Sequence, residues 1–326
     1  MRILLWHVHG SWATAFLQGR HEYVVPVLPD RSGDGVGRAQ TWDWPASVTE
    51  LPPGQLRDEH FDLVLLQRPH ELELATSWLG RRPGVDVPAI YLEHNSPDRS
   101  TCDQRHPLAD RRDIPIAHVT HFNRLFWDNG VAPTVVIEHG IIDPGLRYSG
   151  ELAAGAVVLN EAGRRGRVVG ADLITRFAEV GQVDLFGMQA DAFVAGLNSD
   201  RVTGHANLRT QDDMHTELAR RRVYLHPTRW TSLGLSLIEA MQLGMPVVAL
   251  ATTAAIEAVP PGAGVIGTDL SWLLREFDTL LNEPQYARDM GRRARQVSLN
   301  RHGLARFLCD WDDLISATVA KEGVPQ

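Results

Sequence analysis

The chain has 326 residues, 44% of them hydrophobic and 22% charged, a length that suits two domains of ordinary size in a globular protein. A formal net charge of −8 argues against nucleic acid as the main partner. Two cysteines, Cys102 and Cys309, exclude a disulfide framework and a cysteine-based zinc site.

The chain opens on a buried strand over residues 2–8. The segment turns polar too soon for a secretory signal, and no apolar run nears the ~20 residues of a membrane span, so the cytoplasm is the expected compartment. His9-Gly10-Ser11 reads as the turn after this strand, with Ser11 capping a helix over 12–18. A second strand follows at 23–28. Residues 30–47, rich in Gly and Asp, read as a surface loop. Strands at 61–67, 88–93, 114–120 and 134–138 alternate with helices at 71–79 and 121–129. Residues 95–113 read as a mobile polar loop. Such alternation implies a doubly wound parallel sheet. His139 to Gly145 is dense in turn residues, and the expected domain boundary lies just after it, near residue 150.

The alternation then restarts. Strands are expected at 156–159, 183–186 and from 202, with helices at 171–180 and 212–221. The most informative stretch is Val223–Leu250, which reads as strand, loop, helix, strand. Pro227 stops the first strand. Leu233, Leu237, Ile238 and Met241 recur at helical spacing, and Gly244 and Pro246 end that helix. This βαβ unit brings a helix N-terminus to the carboxyl ends of the strands, where free N–H groups and a partial positive charge suit a phosphate. A short strand at 264–267, helices at 271–281 and 284–297, and an amphipathic helix at 304–319 complete the chain.

Thr231 to Met241, followed by Gly244-Met-Pro-Val-Val, resembles the donor-site signature of the large group-1 family of GT-B glycosyltransferases. That signature is Glu-x7-Glu, then Ala-Met, then Gly-x-Pro-Val-Val. Its second Glu falls on Glu239 and its first on Thr231, so the pattern is broken there. His139-Gly-Ile-Ile-Asp143 resembles the family's interdomain stretch, with His in place of Asn. The resemblance implies two Rossmann-like doubly wound α/β domains facing across a cleft, 1–150 for the acceptor and 151–303 for the nucleotide-sugar donor. The segment 304–326 resembles the final helix of the family, which crosses back to the first domain. Periodicity fits equally a helix that stays on its own domain.

The resemblance also implies site roles. Arg164 and Arg165 fall where the family holds the donor diphosphate, and an Arg fork suits phosphate oxygens; a basic surface loop is the plainer alternative. Thr231, Ser232, Leu233, Gly234 and Leu235 lie at the helix N-terminus, and Glu239 is placed to bind the ribose. Gly187 and Met188 end a strand near the nucleotide. Asn207-Leu208 falls where backbone groups read the base. Gly10 and Ser11 follow the first strand, where donor phosphate or acceptor is expected. His94, at the end of a strand on the rim of the sheet, and His121, at the start of a helix, are candidates to touch the reacting sugar; His118 reads as a core residue. Asp310-Trp311-Asp312 matches a metal signature of another glycosyltransferase fold. It lies in a helix, where residues two apart do not face one another.

The function implied is retaining, metal-independent transfer of a sugar from a nucleoside-diphosphate sugar to a small or specialised acceptor, with no cofactor beyond that co-substrate. A nucleotide-sugar-binding protein without transfer activity, suggested by Thr231, and a GT-B sugar epimerase are the alternatives.

Overall fold

The computed structural model describes residues 1–206, 208 and 210–322. They form two units: Met1–Ile141 joined by the segment from Leu304, and Ile142–Gly303. The break after Ile141 precedes the expected boundary near residue 150 for a physical reason. Ser149 N–H and Gly150 N–H both donate to the Ala219 carbonyl, at 3.0 and 3.2 Å, and the Tyr148 hydroxyl donates to the Arg222 carbonyl at 2.9 Å. The turn-rich stretch is thus already fastened to the second unit.

The first unit contains β1 (Arg2–Leu5), β2 (Glu22–Pro26), β3 (Val48–Leu51), β4 (Leu63–Leu66), β5 (Ala89–Glu93), β6 (Gln104–Arg105), β7 (Ile116–His118), β8 (Trp127–Asp128) and β9 (Thr134–Val136). Seven of them form a parallel sheet in the order β3-β2-β1-β4-β5-β7-β9. β4 and β5 are buried along their whole length, as strands covered on both faces must be. The order reverses between β1 and β4, which makes the carboxyl ends of these strands a topological switch point. Helices α1 (Gly10–Phe16), α2 (Glu71–Leu79) and α3 (His121–Phe126) follow β1, β4 and β7.

Several local expectations need correction. Ser11 lies inside α1; His9 holds the N-cap position, without a side-chain cap. Residues 30–47 are not a free surface loop. Trp44 is buried and donates from Nε1 to Thr14 Oγ1 at 2.8 Å, and edge strand β3 follows it. The polar run 95–113 is also pinned. Gln104 Oε1 accepts from the backbone N–H groups of Asp98, Arg99 and Ser100, β6 pairs with β8, and His106 inserts beneath it against Glu93 at 3.2 Å. α3 ends at Phe126 because the chain becomes β8.

The second unit contains β10 (Leu152–Val158), α4 (Ala162–Arg165), α5 (Ile174–Ala178), β11 (Gln182–Phe186), α6 (Ala190–Ala195), β12 (Val202–His205), α7 (Gln211–Arg220), β13 (Arg221–His226), α8 (Leu235–Leu243), β14 (Val247–Leu250), α9 (Ala255–Ala258), β15 (Val265–Gly267), α10 (Leu270–Asn282) and α11 (Pro284–His302). Its parallel sheet runs β12-β11-β10-β13-β14-β15, with the switch point between β10 and β13. The expected helix over 171–180 starts as a 3₁₀ turn at Ala171–Leu173 before α5. α8 ends as its sequence requires, with Gly244 left-handed at φ +89°.

The last helix, α12 (Leu304–Glu322), is part of the first unit. Its face of Phe307, Trp311 and Ile315 is buried. Trp311 meets Phe16 and Trp12 edge-on, at ring distances of 5.1 and 5.6 Å. Asp310 pairs with Arg306, while Asp312 pairs with Arg20 and His21. These acids therefore serve packing of the helix. Truncating Trp311 to Ala should cost roughly 3–5 kcal/mol, as for other buried aromatics. Urea unfolding followed by circular dichroism would measure this; an unchanged midpoint would mean that α12 contributes nothing to the first unit.

Candidate active site

At the switch point of the second unit, two segments meet: the one leaving β10 and the one leaving β13. A bidentate ion pair joins them. Arg229 Nη1 reaches Asp172 Oδ1 at 2.5 Å and Nη2 reaches Asp172 Oδ2 at 2.9 Å. Backbone bonds reinforce it, since Arg229 N–H and Trp230 N–H both donate to the Val168 carbonyl at 2.9 and 3.2 Å. Gly170, left-handed at φ +76°, lies so close to the Pro227 carbonyl that a side chain would not fit. From the far side, Thr252 Oγ1 donates to the Thr228 carbonyl at 2.7 Å. The loop 227–234 is held on both flanks before any ligand arrives.

That loop carries Thr231, half-buried, then Ser232 and Leu233, both buried. Gly234 is the N-cap of α8 and Leu235 its first residue, with no side chain capping the end. Tyr224 O–H donates to Ser236 Oγ at 2.9 Å, fixing the first turn of α8 to β13. The arginines of the opposite segment differ from one another. Arg164 is exposed and paired with Glu161, and Arg167 is paired with Asp172. Arg165 has no ion-pair partner among the described residues, which leaves its guanidinium available to an anion. The Arg164 pair is largely solvated, so exchanging Glu161 for a ligand costs little.

Glu239 lies one turn into α8 and is buried. Its Oε2 accepts from Gln211 Nε2 at 2.9 Å and lies 3.5 Å from His215 Nε2, both on α7. Gly187 ends β11 at φ +124°, where a Cβ would stand 2.5 Å from the Leu159 carbonyl. Met188 N–H donates to Asn160 Oδ1 at 3.1 Å, so this turn packs against the segment leaving β10. Leu208 is half-buried beyond β12; Asn207 lies outside the described residues. Sequence reasoning missed Asp172, Arg229, Gln211, His215 and His226. Only Arg229 and His226 carried a local signal, since they flank Pro227 where the strand gives way to the loop.

The first unit has its own cluster at the β1/β4 switch point. Gln67 Nε2 donates to the Trp6 carbonyl at 2.6 Å, which leaves Oε1 to accept from His94 Nε2 at 2.9 Å. Hence the lone pair of His94 is on Nδ1. The His9 ring stands 4.1 Å from that of His94. Buried Glu71 holds the β4 end by accepting from Gln67 N–H and Arg68 Nε, each at 2.6 Å. Burial drives His94 well below the ordinary imidazole value, with His9 and His139 adding to the effect. A neutral imidazole of this kind suits a hydrogen bond to a hydroxyl better than proton abstraction. Gly10 is the first residue of α1, backed by Trp42, and Ser11 follows it. His121 is exposed on α3 and stands outside this hydrogen-bonded group. No three His, Cys, Asp or Glu side chains among the described residues come together as metal ligands.

Residues 195–297 match the family described as Glycosyl transferases group 1. The matched segment lies within the second unit. The match contains Leu208, Thr231 to Leu235 and Glu239, and begins after Arg164, Arg165 and Gly187. Among solved structures, HepE of Anabaena in complex with UDP superposes with a TM-score of 0.71 at 15% identity, covering 97% of this chain and 100% of that one. Sucrose-phosphate synthase of Thermosynechococcus elongatus gives 0.67 at 16% identity, covering 98% and 100%. TarM gives 0.63 at 14% identity over 78% of this chain, which spans 54% of TarM. These likenesses show the fold, a GT-B pair of Rossmann-like domains. No curated protein matches the chain by sequence. Fold and family domain together are those of a glycosyltransferase.

Burial has a measurable consequence at His9, His118 and His226, each pushed down to about 4, with loss of hydration as the leading cause. The unfolded chain takes up these protons near 6.5, whereas the folded protein resists them. Their contribution to stability is therefore complete above 6.5 and is lost as pH falls from there through about 4. Urea midpoints should drop between pH 7.5 and 5, ahead of most carboxylate titration. A flat midpoint over that window would mean that these rings are solvated.

Proposed function

We propose that the protein is a retaining glycosyltransferase that moves a sugar from a nucleoside-diphosphate sugar to a small or specialised acceptor, in the cytoplasm and without a divalent metal. The observation that carries this is the meeting, at one switch point, of an unpaired Arg165, an uncapped α8 N-terminus and a buried Glu239. Breaking a sugar–phosphate bond leaves a diphosphate of growing negative charge. Arg165, Arg164 released from Glu161, and the α8 N-terminus supply positive potential for it without a cation. Glu239, kept in place by Gln211 and His215, is positioned to accept from a ribose diol. Thr231 precedes this helix end and is assigned to the donor sugar. In the first unit, His9 and His94, the latter oriented by Gln67, offer hydrogen bonds to an acceptor hydroxyl. Retention follows if the donor phosphate takes the acceptor's proton on the face that the leaving group vacates. HepE structures with UDP, glucose and UDP-glucose make UDP the first nucleotide to test.

A titration of UDP, GDP, ADP, CDP and dTDP by calorimetry should find one that binds, and Glu239→Ala should weaken it by about 1.5–3 kcal/mol in a folded variant. Unchanged affinity would remove Glu239 from the ribose site. Single-turnover transfer should persist in excess EDTA. Replacing Arg164 and Arg165 together by Ala should slow it on the order of 10²-fold, with a smaller effect on donor affinity. Normal turnover in that variant would refute the diphosphate assignment, and loss of turnover in EDTA, restored by manganese, would refute metal independence.

A further inference from the structure

His226 is the last residue of β13 and is buried, with a relative exposure of 5%. Neither ring nitrogen has a hydrogen-bond partner among the described residues, although the ring stacks with Tyr224 at 6.4 Å. A buried polar side chain left in this state normally has a reason. Its surroundings supply one. Gly234, the N-cap of α8, lies directly against the ring: a Cβ there would be 2.8 Å from His226 Cε1, 3.6 Å from Nε2 and 3.7 Å from Nδ1. The polar edge of the imidazole thus abuts the uncapped end of a nine-residue helix. Gly234 is backbone-extended at φ −72°, so its conformation does not demand glycine; the imidazole beneath it does.

We propose that His226 is a diphosphate-binding residue, donating a ring N–H to the same anion that the α8 N-terminus and Arg165 receive. This rests on the donor-site assignment above and adds to it a ligand from beneath the loop. A neutral imidazole carries one N–H donor, and burial keeps this ring neutral in the absence of an anion. Helix N–H groups and the ring would then approach phosphate oxygens from neighbouring directions, with no side chain at residue 234 between them. The place of His226 before Pro227 is a local signal, but His at the end of a strand reads equally as a core residue.

The test compares His226→Leu, which fills the space without a donor, with His226→Gln, which keeps an N–H. Each is titrated calorimetrically with UDP, GDP, ADP, CDP and dTDP and with the corresponding nucleosides. Whichever diphosphate the unaltered protein binds should bind His226→Leu roughly 10- to 100-fold more weakly, the range of a hydrogen bond to a charged group. His226→Gln should stay within about threefold of the unaltered protein, since it preserves the donor. The matching nucleoside, lacking phosphate, should bind all three alike. Equal diphosphate affinity in His226→Leu, or equal losses in the Leu and Gln variants, or a matching loss for the nucleoside, would overturn the inference while leaving the donor site standing. Failure of the unaltered protein to bind any of the diphosphates would overturn the donor site and the inference with it.

Discussion

The second unit depends on one half-exposed contact, the pairing of Asp172 with Arg229 across the β10/β13 switch point. Two parallel strands diverge there, and their outgoing segments would otherwise separate. The ion pair, the shared Val168 carbonyl and the close approach of Gly170 to Pro227 hold them together. An exposed ion pair alone contributes little, but this one is bidentate and reinforced by backbone bonds, the circumstances in which such a pair matters. A site built this way is set before its ligand binds. Pre-set charge and N–H groups stabilise developing charge without having to reorganise.

The two switch points are chemically unlike. In the second unit Arg165 and the α8 N-terminus stand beside arginines paired with Glu161 and Asp172, an arrangement suited to phosphate, with Glu239 deeper in the helix. In the first the converging groups are neutral: two imidazoles, an amide and a tryptophan, with Arg68 neutralised by Glu71 and Asp34. Neutral hydrogen-bonding groups fit an uncharged polar ligand such as a sugar or alcohol. The two switch points thus differ in charge although the two units share one architecture.

Much of this was legible in the residues, for definite reasons. The unit Val223–Leu250 carries its own punctuation, with Pro227 ending a strand, apolar residues at helical spacing, and Gly244-Met-Pro246 ending a helix. Parallel strands such as LVLL in β4 announce burial on both faces. Edge strand β3 was hidden because its four residues alternate weakly beside a Gly- and Asp-rich stretch, and Trp44 gave the only sign that this stretch is anchored. The polar run 95–113 looked mobile because Gln104 satisfies three backbone N–H groups that composition alone leaves unaccounted for. The candidate site was only partly suggested by local pattern. Arg164, Arg165 and Glu239 stood in recognisable positions, whereas the Asp172–Arg229 pair joins residues 57 positions apart that no local pattern connects. Helix ends were missed where capping was unusual, as at α1, whose N-cap is His9 rather than Ser11.

α12 gives the chain an uneven order of completion. The second unit is continuous in sequence from Ile142 to Gly303, whereas the first is interrupted by it and closed by a helix from Leu304 onward. On the ribosome the whole second unit emerges before Trp311 can reach Trp12 and Phe16. Domains made in sequence ordinarily mature from the N-terminus. Here the first unit waits with the Trp12–Phe16 surface uncovered while the second is synthesised and finished, so the part begun first is the part completed last.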